Sequence, residues 1–88
     1  MRRTCLTEEE RHDRAVRMLT ARLEYLAAAE ERTTCGVRLP DEHVLAVEAA
    51  TRHAISLGLI SSEEAAAIWA DVAERHPDVP WCRARRAA

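Results

Sequence analysis

The sequence has no lysine and no phenylalanine, two glycines, and three aromatic side chains, Tyr25, Trp69 and Trp81. Gly36 and Gly58 stand far apart, which excludes a glycine-rich loop of the kind that cradles phosphates. The cysteines, Cys5, Cys35 and Cys82, are odd in number and widely spaced. Without a Cys-x-x-Cys pair, neither a closed zinc site nor a disulfide framework is indicated, and a reduced cytoplasm is the expected compartment. No apolar run approaches the roughly 20 residues that cross a bilayer, so no membrane contact is expected. Arg2 and Arg3 are followed by no apolar segment, and a secretory signal is not expected there. Thirteen arginines against fifteen acidic residues leave a net charge of −2, with no overall basic field for nucleic acid.

What the chain does have is alanine. Its 88 residues suit one helical domain, 1–88, and 48% of them are hydrophobic. Alanine buries little area, however, and transfer at about 25 cal/mol per Å² leaves a thin surplus over chain entropy. A partner subunit is a common source of the missing stability.

The fold class predicted is all-α: three helices in up-down-up order, over about 8–32, 42–57 and 62–76, then an extended tail, 77–88, containing Pro and Trp. Thr7 and Glu10 have the spacing of a capping box, as do Ser61 and Glu64. Between the second and third helices lies Ile55-Ser56-Leu57-Gly58-Leu59-Ile60-Ser61, a helix stop followed at once by a helix start. Gly58 suits the left-handed residue past a helix C-terminus, with Leu57, Leu59 and Ile60 plugging the corner. In the first helix, Ala15, Val16, Leu19, Leu23 and Leu26 form one apolar stripe bordered by Met18, Arg22 and Tyr25. His12 falls inside it, one turn after Glu8, its natural i,i+4 partner. Pro40 and Asp41 mark the start of the second helix, whose buried face takes in His43, Val44, Val47, Ala50, Ala54, Ile55 and Leu57. Ala65, Ile68, Trp69 and Val72 form the third stripe, which His76 continues.

Three groups of residues are candidates for chemistry. Antiparallel packing brings His43 and His76 to the same end of the bundle as Glu30 and Cys35, a set able in principle to hold zinc or iron. No HExxH spacing supports it, and a terminal His more commonly caps carbonyls or pairs with a carboxylate. Arg11, Arg14 and Arg17 recur along the first helix, where guanidinium forks suit carboxylates or sulfur oxyacids. The plainer alternative is a solvated face balanced by Glu10, Asp13 and Glu24. Trp81, beyond Pro77 and Pro80, is the leading candidate for an interface, with Val79 beside it and Trp69 behind it in the core.

The segment from His43 to Trp81 resembles the helical N-terminal part of the nitrile hydratase β-subunit. There a helix ends in Gly and two apolar residues, a Ser, Thr or Asp caps the next helix, acidic residues follow, and the exit contains Pro. Here those elements read Gly58-Leu59-Ile60-Ser61-Ser62-Glu63-Glu64 and Glu74-Arg75-His76-Pro77-Asp78-Val79-Pro80. The family's β-barrel half and its partner's Cys-x-x-Cys-Ser-Cys metal claw are not among these residues. In related enzymes, including thiocyanate hydrolase, the β-type chain is split into separate polypeptides.

The resemblance implies a small subunit that binds no cofactor itself. Its expected partners are a claw-bearing α-type subunit, carrying cobalt or iron, and a further small subunit. The assembly would hydrate a nitrile to an amide as a lyase, with this chain not catalytic alone. Arginine contacts to the partner's active site, with Arg14 and Arg17 as candidates, follow from the same resemblance. The alternative function is a self-associating helical interaction module with no catalytic role.

Overall fold

A computed structural model describes residues 6–31, 41–79 and 81–82, with backbone alone at Asp41. It holds three helices: α1 (Glu8–Glu31), α2 (Asp41–Ser56) and α3 (Ser62–Arg75). Among the described residues there is no strand, and the protein is all-α.

The helix ends form where the sequence places its caps. The Glu10 amide donates to Thr7 Oγ1 and the Thr7 amide to Glu10 Oε1, both at 3.2 Å, with Glu8, Glu9 and Glu10 at the positive end of the α1 dipole. At α3 the Glu64 amide donates to Ser61 Oγ at 3.0 Å and the Ser61 amide returns to Glu64 Oε1 at 2.9 Å. Between them α2 closes in a Schellman motif. The Leu59 amide reaches Ala54 O at 3.0 Å and the Gly58 amide reaches Ile55 O at 2.9 Å, with Gly58 at φ +74°.

Side-chain contacts fix the helix directions. His12 near the start of α1 meets Glu64 near the start of α3, and Glu24 and Glu31 late in α1 meet His76 just past α3. α1 and α3 are therefore parallel and packed on each other, and α2 runs antiparallel to them, mainly against α1, with Ala54 and Ala15 lining one hollow and His43 and Tyr25 another. The core follows from this arrangement: Leu19, Leu23, Leu26 and Ala27 from α1 against Ala65, Trp69, Val72 and Ala73 from α3. α2 adds Val47 and one buried polar residue, Thr51. Thr51 Oγ1 donates to Val47 O at 2.8 Å and accepts the Trp69 indole N–H at 3.3 Å, so its hydroxyl is satisfied in the core.

Several expectations are corrected. Ile60 fills the corner at 4% exposure, but Leu57 is 60% exposed, because the left-handed step at Gly58 turns the chain inward only after it. His43 is exposed rather than on the buried face of α2, whose core stripe is narrow and centred on Val47 and Thr51. Among the described residues past α3 the chain is not extended. Pro77 and Asp78 sit in a turn closed by the Val79 amide on His76 O at 3.2 Å, Pro occupying the position its fixed φ favours. The turn folds Val79, Trp81 and Cys82 back onto the core, and 81–82 are helical. Pro80 and residues 83–88 lie outside the described residues, as do Cys5 and residues 32–40 with Cys35.

Apart from its own chain neighbours nothing crowds a side chain at Gly58, so the cost of one there is conformational. Gly58→Ala is predicted to destabilise the fold by about 1 kcal/mol, a melting-temperature loss of about 4–8 °C. Gly58→Asn should lose less. An unchanged melting curve for Gly58→Ala would show that this corner is not held as described.

Candidate functional site

The three residues singled out as an interface sit inside the protein's own core. Val79 is 2% exposed, Trp69 5% and Trp81 8%, and the two indoles meet edge to face with centroids 5.7 Å apart. The physical reason is the Pro77 turn, which returns Trp81 to the core beside Trp69. Cys82 beside it is fully buried, and burial, with Glu30, Glu31 and Glu24 nearby, pushes its thiol up to about 11. It stays protonated at neutral pH and is not a nucleophile.

The histidines form ion pairs across helices. His12 Nε2 donates to Glu64, with Asp13 Oδ1 on its other nitrogen at 3.4 Å, so its partner is on α3 and not Glu8. At the other end His76 donates from Nε2 to Glu24 Oε2 at 2.8 Å and from Nδ1 to Glu31 Oε1 at 2.5 Å. Two carboxylate acceptors on one ring require the imidazolium. Arg75 binds the same Glu24, its Nε at 2.7 Å from Oε1, and also pairs with Asp71. The two clusters close the α1–α3 seam at both ends. They take up both nitrogens of His76, while His43 stands exposed on α2 and Cys35 lies outside the described residues. Among the described residues no three His, Cys, Asp or Glu side chains are disposed to hold a metal ion.

Arg14 and Arg17 are exposed near the start of α1, around a shallow hollow shared with Leu6, Glu10 and Asp13. Acidic neighbours in that hollow balance their charge.

The most distinctive surface lies instead between α1 and α2. Two adjoining apolar hollows run along the seam. The first, about 160 Å³, is lined by Ala15, Met18, Leu19, Arg22, Ala50, Thr51, Ala54 and Leu59. The second, about 350 Å³, is lined by Ala21, Arg22, Tyr25, Leu26, His43, Ala46 and Val47. Small alanines on α2 leave the space, and Met18 and Tyr25, 45% and 69% exposed, form the opposite rim. A void of about 150 Å³ takes one benzene ring, so each hollow has room for at least one large side chain. Arg22 lines both hollows and is their one formally charged side chain. In the sequence Met18, Arg22 and Tyr25 were visible only as the border of the α1 stripe. The available signal was that α2 offers alanine where a closed bundle needs larger residues.

The chain matches no known protein family, no curated protein and no solved structure.

The paired histidines give the fold a pH dependence of defined sign. His12 is raised above its usual 6.5, chiefly by the bond to Glu64, and His76 chiefly by the bond to Glu24. Their stabilisation is complete below pH 6.5 and is lost as pH rises through the raised values. Glu24, held low chiefly by His76, and Glu64, held low chiefly by the Ser61 amide, contribute above 4.5 and are lost as pH falls through their depressed values. Stability is predicted to be greatest between about pH 4.5 and 6.5. Denaturant midpoints should fall from there toward alkaline pH, and the His12→Gln/His76→Gln double variant should flatten that slope. An unaltered slope in the variant would contradict these pairings.

Proposed function

We propose that this protein is a small, non-metal-bearing helical subunit of a hetero-oligomer, docking on its partner through the α1–α2 groove. The observation that carries this reading is the groove itself, an apolar seam with exposed Met18 and Tyr25 on its rim. Helices that leave such a seam open are suited to accept a further helix. The polar groups support a binding role over a chemical one. The Cys82 thiol is held neutral, and His12 and His76 are committed to structural ion pairs.

The identity of the partner rests on the sequence resemblance of residues 43–81. It names a claw-bearing α-type subunit of a nitrile hydratase-like lyase, with cobalt or iron in that subunit and hydration of a nitrile to an amide as the reaction. Arg14 and Arg17 are exposed and so available to reach toward a partner.

Co-expression with a subunit carrying Cys-x-x-Cys-Ser-Cys tests the proposal. The two chains are predicted to co-purify, with nitrile hydration appearing only when both are present. A protein that stays monomeric and leaves the activity unchanged would overturn the assignment. A stable homodimer by sedimentation would transfer support to a self-associating module.

A further inference from the structure

The reading of this chain as a docking subunit fixes where a partner sits; the lining of the groove constrains what that partner is. On α1 the residues of the first hollow, Ala15, Met18 and Leu19, precede those of the second, Ala21, Tyr25 and Leu26, by six to seven positions. At 1.5 Å per residue the two hollows are about 10 Å apart, close to two helical turns. A helix laid along the seam would therefore place apolar side chains at i and i+7 into them. Arg22 stands between the hollows, exposed, with no carboxylate within ion-pair distance among the described residues and none lining either hollow. The complementary position on the occupant, i+3 or i+4, faces this guanidinium.

We infer that the groove takes an amphipathic helix from a different polypeptide, bearing apolar anchors at i and i+7 and an Asp or Glu at i+3 or i+4. A second copy of this chain fits less well for a reason of symmetry. A two-fold interface centred on the groove sets the middle of the patch against itself, which here places Arg22 against its own copy. Like charges meeting in a closing apolar seam oppose that pairing, whereas a carboxylate gives a bidentate partner.

The test uses the full chain and a fluorescein-labelled helical peptide with Leu at i and i+7 and Glu at i+4, compared with the same peptide carrying Lys at i+4. Fluorescence anisotropy is predicted to show the Glu peptide binding about tenfold more tightly, a difference of about 1.4 kcal/mol. Arg22→Glu should reverse the preference. Arg52→Glu makes the same change in net charge away from the groove and should behave like the wild type. Equal binding of both peptides, binding of neither, or a preference that survives Arg22→Glu would overturn the inference. If Arg22→Glu fails to fold by circular dichroism, the comparison of the two peptides on the wild type decides alone. Failure of the peptide test beside a co-purifying partner refutes this occupant but leaves the docking role standing. Absence of any partner complex refutes the role beneath it.

Discussion

α1 and α3 lie parallel, and the apolar seam between them is what the other parts of the structure rest on. Leu23, Ala27, Val72 and Ala73 are buried completely along it, with Trp69 in the same core. Leu19 and Leu26 extend the same buried core, while Met18, Tyr25, Leu45 and Leu57 stay exposed. Both ends of the seam are closed by charge: His12 with Glu64 at one, and His76, Arg75, Glu24 and Glu31 at the other. These groups are partly exposed, so their value lies more in fixing the register of the two helices than in raw stability. The Pro77 turn completes the seam by laying Val79, Trp81 and Cys82 over it.

α2 depends on this frame and adds less to it. Val47 and Thr51 are its buried residues, supported by partly buried Val44, Ala54 and Ile55. The Thr51 hydroxyl ties it to the Trp69 indole, and the Gly58 corner delivers it to α3. Alanines elsewhere on α2 keep it close to α1 but do not fill the space between them. The open groove is thus a consequence of where the bulky residues went. A small protein that concentrates its packing in one helix pair has a face left over, here the α1–α2 groove.

Much of this architecture was legible in the sequence because its signals are local. Both capping boxes and the left-handed Gly58 rest on residues within a few positions of one another, and the α1 stripe repeats over many turns. Contacts distant in sequence were not legible. Spacing offered Glu8 to His12, but the fold supplies Glu64; it read Pro77 as an exit, but the fold makes it a turn that buries Trp81. The groove escaped notice for a related reason: a missing side chain leaves a weaker trace in a sequence than a present one. Arg14 and Arg17 drew attention as a repeat, while Arg22, at the edge of the apolar stripe, has the more distinctive surroundings.

If the α1–α3 pair is the frame and α2 its attachment, native-state hydrogen exchange should separate them. Amides of Leu23, Leu26, Val72 and Ala73 are predicted to exchange only through global unfolding, with the largest protection in the molecule. Amides in the middle of α2, at Glu48 to Thr51, should exchange at least tenfold faster, through an opening that leaves α1 and α3 paired. Equal protection across all three helices, moving together with denaturant, would contradict the account.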